Sequence, residues 1–174
     1  MKPLRLALVG YGNRGRGMYA LAAGFPGIEK AGICEVDAAL LAKAGEEHPQ
    51  TPLYAAFGEL LSSAAPDALI VETPATLHAE FCTKALAKNI HVLCDVPCVD
   101  RAEEAEPMWR AAQASRALYM IGANPNLWGF VESAVDLKVK GLLGEPYYAE
   151  AEYLHDVRSL FASTPWRATY ESIK

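Results

Sequence analysis

Two kinds of hydrophobic pattern alternate along the first two thirds of the chain. Short apolar runs bounded by glycine, proline or acidic residues predict buried strands, and apolar residues spaced three or four apart predict helices. Strands are expected at residues 4–9, 28–36, 68–72, 90–94 and 117–121. Helices are expected at 16–24, 38–47, 57–63, 76–88 and 101–115, the last kinked or delayed by Pro107. This alternation predicts an α/β fold, a doubly wound parallel sheet with helices on both faces.

The pattern changes after about Asn124. One more amphipathic helix is expected at 130–140, and residues 147–157 then alternate between apolar and polar side chains. Such alternation is typical of a half-buried strand in an antiparallel sheet. Because that strand needs partners and few residues follow it, we expect one complete domain over 1–122. Residues 123–174 are then expected to form only the beginning of a second α/β domain.

Composition and charge narrow the classes of function. The chain has 174 residues, 52 % of them hydrophobic and 21 % charged, which is an ordinary globular composition. Its net charge of −5 disfavours nucleic acid and anionic membranes as partners. The apolar run near the N-terminus is too short for a signal peptide, and no run approaches the ~20 residues of a membrane span. A cytoplasmic location is therefore predicted.

A glycine-rich turn follows the first strand. Its sequence, Gly10-Tyr11-Gly12-Asn13-Arg14-Gly15, has G-x-G-x-x-G spacing and lies between a strand and a helix, as dinucleotide binding requires. Gly10 would make the tight turn, Gly12 would admit a pyrophosphate, and Gly15 would let the helix pack closely on the sheet. The helix N-terminus would then bind the phosphates. The alternative is a glycine turn without a ligand.

An acidic residue ends the second strand. Glu35 follows Gly10 at close to the roughly 20-residue spacing of a carboxylate that binds the adenosine ribose. A carboxylate accepts hydrogen bonds from ribose hydroxyls and repels a 2′-phosphate, so NAD is predicted over NADP. Alternatively Glu35 only solvates the strand end, while Asp37 caps the next helix. NADP stays open because Arg14 could hold either a pyrophosphate or a 2′-phosphate.

The third strand ends at a second candidate for ligand contact. Thr73 and Pro74 follow it at the carboxyl edge of the sheet, where open α/β sheets bind ligands. His78 lies at the start of the next helix, where it either lines the ligand or faces solvent and loop.

Taken together, these segments resemble the N-terminal part of the Gfo/Idh/MocA oxidoreductases, which include glucose–fructose oxidoreductase and inositol dehydrogenase. GYGNRG, TPATLHAEFCTKAL, NIHVLCDVP and GLLGEPYYAEAEY occur in the family's order and at its spacing. The resemblance implies a Rossmann domain that binds NAD(P), followed by a substrate and oligomerisation domain. It also implies hydride transfer on a sugar, cyclitol or related polyol, and a homo-oligomer in the full-length protein.

The resemblance assigns cofactor binding to the phosphate loop, the ribose acid, the segment after the third strand, two positions of a Glu-Lys-Pro motif and one position after the fifth strand. In this chain these residues are Gly10, Tyr11, Gly12, Asn13, Arg14, Gly15, Glu35, Thr73, Pro74, His78, Asp95, Pro97 and Asn124.

The chain departs from the family pattern at both catalytic positions. The lysine of the Glu-Lys-Pro motif is Val96, which cannot carry a proton or a hydrogen bond. The family's acid/base histidine lies beyond Lys174, the last residue of the chain. No catalytic residue is therefore predicted, and the chain alone is expected to bind dinucleotide better than it catalyses. The alternative is a non-catalytic protein that binds or senses NAD(P).

The pair Cys94 and Cys98 is the remaining candidate for a metal site or a redox pair. Zinc sites usually need four ligands, and no second Cys/His pair has matching spacing. Cys94 ends an apolar strand and is expected to point into the core as a small hydrophobe. Neither a metal site nor a redox pair is predicted.

Overall fold

The computed structural model describes residues 2–154 and 156–164, without the side chains of Leu160 and Ser163. The chain divides into two compact units, Met1–Gly122 and Ala123–Lys174, and each is described by itself.

The first unit contains a six-stranded sheet. Every strand pairs in parallel with its neighbours, in the order β3-β2-β1-β4-β5-β6. The strands are β1 (Leu4–Val9), β2 (Ile28–Cys34), β3 (Leu53–Tyr54), β4 (Ala68–Val71), β5 (His91–Cys94) and β6 (Tyr119–Ile121). The order reverses between β1 and β4, as in the doubly wound folds that bind ligands at this point.

Five α-helices connect these strands, and two more lie in the described part of the second unit. The first five are α1 (Asn13–Ala22), α2 (Ala38–Glu47), α3 (Phe57–Ser63), α4 (His78–Ala87) and α5 (Ala105–Ala114). In the second unit they are α6 (Gly129–Val139) and α7 (Arg158–Ser163). Short 3₁₀ turns at Ala75–Leu77, Ala102–Glu104 and Asn124–Leu127 precede α4, α5 and α6.

Helices cover both faces of the sheet, as predicted. Successive side chains of a strand point to opposite faces, so β1 contributes to two separate cores. Leu6 and Leu8 pack with Tyr19 of α1 and Ala44 of α2. Ala7 and Val9 pack in the other cluster, with α3, α4 and α5 side chains that include Leu60, Cys82 and Met108. The predicted doubly wound parallel sheet is therefore confirmed.

The site forms where the carboxyl ends of the central strands meet. Hydrogen bonds extend the ladder past the strand ends, because Glu72 N donates to Val9 O over 2.9 Å and Asp95 N to Val71 O over 3.0 Å. Gly10 N likewise donates to Cys34 O over 2.9 Å. The glycine turn and the residues after β4 and β5 therefore start from one edge of the sheet.

Four sequence-based expectations differ from the structure. α1 begins at Asn13 rather than residue 16, because the last residues of the glycine turn already form its first turn. β3 was not predicted, since only two residues pair with β2 directly after Pro52. The strand expected at 147–157 is wrong for the described residues 147–154 and 156–157, which have no regular structure. A strand without neighbours gains no ladder hydrogen bonds. α7 lies in a segment given no element.

No helix in the described part of the chain is both long enough and apolar enough to cross a membrane.

Candidate functional site

Two glycines of the turn between β1 and α1 are required by sterics. Gly10 has φ +92°, and a Cβ built on it would lie 2.5 Å from the carbonyl oxygen of Glu72. A Cβ on Gly15 would lie 1.9 Å from the carbonyl oxygen of Gly10. Real Cβ atoms do not approach backbone so closely, so any side chain at these positions would displace the turn.

Gly12 differs, because a Cβ built on it would meet no protein atom of the described chain within 4 Å. It precedes α1, whose N-terminus has no side-chain cap and no acidic residue in its first turn. The first N–H groups of a helix have no partner within the helix and attract anions. Open space above an uncapped helix N-terminus fits the pyrophosphate of a dinucleotide.

The side chain of Glu35 is hydrogen-bonded to the backbone of the glycine turn. Its Oε2 accepts a 2.7 Å hydrogen bond from Tyr11 N, and its Oε1 accepts a 2.9 Å bond from Asp37 N. The carboxylate is half-buried and therefore held in place at the end of β2. Asp37 caps α2 as predicted, since its Oδ1 accepts from Ala39 N and Leu40 N.

The side chain of Tyr11 points away from the open face of the turn. It is 1 % exposed and donates a 2.6 Å hydrogen bond to Glu47 Oε2. Burial and the Glu47 carboxylate raise the pKa of Tyr11 to about 12. Tyr11 thus offers a ligand only its backbone, whereas Asn13, the first residue of α1, is exposed.

Arg14 joins the glycine turn to the end of β5. Its Nε and Nη2 donate to Asp95 Oδ2 and Oδ1 over 2.7 and 2.9 Å, a bidentate pair. Its Nε also lies 3.6 Å from Glu72 Oε2. Glu72 carries no local sequence signal for a site residue, because it stands only at the polar end of an apolar run.

His78 is buried and joins two loops at the site. It is 2 % exposed; its Nδ1 lies 2.7 Å from Pro97 O and its Nε2 lies 2.8 Å from Thr73 O. Carbonyl oxygens only accept, so both ring nitrogens must donate and the imidazole is cationic. The alternative that His78 faces solvent is wrong. The cationic ring thus joins the segment after β4 to the segment after β5 through one hydrogen bond to each.

We expect His78 to remain doubly protonated at neutral pH. Burial alone would lower its pKa, but hydrogen bonds with Cys94 and the two carbonyl groups raise the pKa to about 9. NMR at pH 7 should therefore show two ring N–H protons for His78. His91 serves as the comparison, because its Nδ1 accepts a 2.9 Å hydrogen bond from Leu118 N. Replacing Cys94→Ala should lower the pKa of His78. A single ring N–H on His78 at pH 7 would contradict this assignment.

The remaining residues of the predicted site differ in how exposed they are. Thr73 Oγ1 is buried and has no hydrogen-bond partner among the described residues, which fits a ligand group still to be supplied. Pro74, Val96 and Pro97 are exposed at the carboxyl edge of the sheet. Asn124 is exposed in the second unit. The family's acid/base histidine is predicted beyond Lys174, which itself lies outside the described residues.

All four cysteines are free thiols. Cys94 is fully buried at the end of β5, as expected, and Cys98 is half-buried. Within residues 2–154 and 156–164, no group of three or more His, Cys, Asp or Glu side chains is arranged to hold a metal ion.

Comparison with known proteins places these features in a family. Residues 4–123 match the profile described as "Oxidoreductase family, NAD-binding Rossmann fold", that of the Gfo/Idh/MocA proteins. The chain is 34 % identical over 116 residues to inositol 2-dehydrogenase of an Arthrobacter species, a match that covers 66 % of this chain and 34 % of the relative. It is 26 % identical over 183 residues to glycosyl hydrolase family 109 protein 2 of Akkermansia muciniphila. That match covers 97 % of this chain and 38 % of the relative.

A solved structure shares the fold. The WlbA dehydrogenase from Chromobacterium violaceum, crystallised with NADH and UDP-GlcNAcA, superposes with a TM-score of 0.82 at 21 % identity, over 98 % of this chain and 50 % of that one. The chain spans little more than a third of the curated relatives' length and about half of this structure. The family profile covers the whole sheet and the glycine turn, which confirms both the resemblance and the prediction of NAD as the cofactor. The chain therefore belongs to the Gfo/Idh/MocA oxidoreductase family, with an NAD-binding Rossmann fold.

Proposed function

We propose that the chain binds NAD across the carboxyl edge of its sheet, as the cofactor domain of an oxidoreductase. The uncapped N-terminus of α1, beneath the open space at Gly12, is the observation that carries this proposal. The pyrophosphate would accept hydrogen bonds from the first N–H groups of α1. Gly10 and Gly15 would shape the turn, and Glu35 would accept hydrogen bonds from the adenosine ribose.

The position of Arg14 supports NAD over NADP. A 2′-phosphate would lie near Glu35 at the end of β2, where a carboxylate repels it. Arg14 instead pairs with Asp95 at the end of β5. Its guanidinium is thus directed to the pyrophosphate and nicotinamide side of the site.

Residues after β4 and β5 would line the nicotinamide half. Thr73 presents an unpartnered hydroxyl there, and His78 holds the loops that carry Pro74 and Pro97 in register. Bound NAD supplies the ring that exchanges a hydride with the substrate. The contact of Asn124 with the cofactor stays a prediction from the family resemblance.

A sugar, cyclitol or related polyol is the proposed substrate of the whole protein. The inositol 2-dehydrogenase relative supports this class, although its match covers only 66 % of the chain. Val96 offers no proton carrier at the position of the family lysine. The group that deprotonates the substrate hydroxyl must therefore come from elsewhere.

NAD-dependent cleavage of a glycoside is a second candidate. The observation that favours it is the extent of the match to the glycosyl hydrolase family 109 protein, which covers 97 % of this chain and so includes the second unit. Hydrolysis leaves the oxidation state of the sugar unchanged, so NAD would have to be regenerated in each cycle.

Titration calorimetry with NAD, followed by product analysis, tests these proposals. We expect saturable binding of NAD, and its absence would refute the proposed function. The full-length protein is then incubated with NAD and a panel of polyols and glycosides. Accumulation of NADH indicates dehydrogenation, whereas release of free sugar without NADH indicates glycoside cleavage. NAD binding without either product would favour the non-catalytic alternative.

A cytoplasmic location and a homo-oligomeric full-length protein stay predictions. Size-exclusion chromatography with light scattering measures the oligomeric state of the full-length protein.

A further inference from the structure

A buried carboxyl group beneath the glycine turn has no role in the function proposed above. The side chain of Glu72 is 3 % exposed, and Asp95 beside it is 14 % exposed. Arg14, 42 % exposed, covers both carboxyl groups from the solvent side. Its guanidinium makes two short hydrogen bonds to Asp95 but lies 3.6 Å from Glu72. We refer to these three side chains as the carboxyl cluster.

The carboxyl cluster lies directly against the turn. A Cβ on Gly15 would be 3.1 Å from Glu72 Cβ, and a Cβ on Gly10 would be 2.5 Å from Glu72 O. Glu72 is therefore packed against both glycines that shape the phosphate turn. A dinucleotide pyrophosphate would bring negative charge to the N-terminus of α1, which begins within this turn.

Glu72 is poised to change its charge near neutral pH. Three charged groups face it: Arg14 from α1, Asp95 from the end of β5 and His78 from α4. Burial, followed by the negative charge of Asp95, raises the pKa of Glu72 to about 7, although Arg14 and His78 oppose this shift. The negative charge of Asp95 beside it disfavours a second ionised carboxylate at Glu72.

Binding of a dinucleotide would favour that proton further, for three reasons. The pyrophosphate adds negative charge nearby, the ligand covers the cluster and excludes water, and the phosphates compete with the carboxyl groups for Arg14. Each of these changes disfavours an ionised Glu72.

We infer that Glu72 is a positioning residue of the dinucleotide site that takes up one proton from solvent when NAD binds. The cluster then loses one negative charge, and Arg14 can turn part of its hydrogen bonding toward the phosphates. The inference rests on the proposed function, because it requires NAD to bind at the glycine turn.

The affinity for NAD should consequently depend on pH. By linkage, a group that is protonated only in the complex weakens binding once it ionises in the free protein. With Glu72 titrating near pH 7, the Kd for NAD should be about tenfold higher at pH 8 than at pH 6. Calorimetry of NAD binding at pH 8, in two buffers of different ionisation enthalpy, should show uptake of about one proton per NAD. His78, with a pKa of about 9, stays charged through most of this range.

Two variants locate the proton. Glu72→Gln keeps the shape of the side chain without its charge, so its affinity for NAD should resemble that of the native protein at pH 6 and stay constant to pH 8. Glu80→Gln is the matched control, because Glu80 is an exposed carboxylate of α4 that pairs with Lys84. It should keep the native pH dependence.

The outcomes separate this inference from the proposed function. NAD that binds the native protein with one affinity from pH 6 to pH 8, without proton uptake, overturns the inference alone. A pH dependence that persists in a folded Glu72→Gln variant does the same. If that variant does not fold, the measured proton uptake of the native protein on binding NAD decides whether the inference holds. Failure of NAD to bind at any pH overturns the proposed function and, with it, this inference.

Discussion

Replacing Gly15→Ala is expected to destabilise the protein and to abolish NAD binding. The new Cβ would overlap the carbonyl oxygen of Gly10 at 1.9 Å, so the turn or the first turn of α1 must move. Backbone overlap of this kind costs about 3 kcal/mol or more, which lowers the melting temperature by roughly 6 to 12 °C. Thermal unfolding and titration with NAD measure the two effects.

Two other glycines serve as matched controls. Gly12→Ala places its Cβ in open space with an ordinary φ of −64°, so stability should be unchanged. NAD affinity should nevertheless fall at least about tenfold, since the methyl group occupies the path of the pyrophosphate. Gly17→Ala also meets no neighbour and lies within α1, so it should raise stability by about 0.5–1 kcal/mol and leave NAD binding unchanged.

The three variants therefore separate packing from ligand contact. If Gly12→Ala bound NAD as well as the native protein does, the pyrophosphate would not lie over this turn. If Gly15→Ala were as stable as the native protein, the close approach to Gly10 would be relieved by a movement that the structure does not show.

Replacing Glu35→Ala is expected to weaken NAD binding about tenfold or more and to remove most of the preference for NAD over NADP. Two losses combine, because the ribose hydroxyls lose their acceptor and Tyr11 N loses its 2.7 Å hydrogen bond. The repulsion of a 2′-phosphate disappears with the charge. Titration of both dinucleotides into the native and variant proteins gives the ratio of affinities.

Asp37→Ala is the control for this experiment. Its carboxylate caps α2 through Ala39 N and Leu40 N, so its removal should cost about 1 kcal/mol of stability. The ratio of NAD to NADP affinity should not change, because the backbone N–H of Asp37 still donates to Glu35. Tighter binding of NADP than of NAD by the native protein would show that the role given to Glu35 is wrong.

The strands and the glycine turn were accessible from the sequence because their signals are local. Buried parallel strands appear as apolar runs, and Gly10, Gly12 and Gly15 stand directly between such a run and a helix. Glu35 was predicted in the same way, from its place at the end of the second run, and its role at the ribose stays a prediction. The prediction failed where the signal depends on a partner. Alternation at 147–157 indicates a strand only if another strand pairs with it, and β3 exists only because Leu53 and Tyr54 lie beside β2.

The charge arrangement of the site could not be predicted from the sequence. Arg14, Glu72 and Asp95 are far apart along the chain, and they meet because β4 lies between β1 and β5 in the sheet. The cationic state of His78 depends likewise on the carbonyl oxygens of Thr73 and Pro97, which belong to two separate loops.

Local pattern was therefore sufficient for the class of fold and the cofactor family, since both are encoded by neighbouring positions. The surroundings that shift the pKa values of Glu72 and His78 exist only once the sheet has assembled. A pKa depends on burial and on charges a few ångströms away, and neither is defined until distant segments of the chain have packed together.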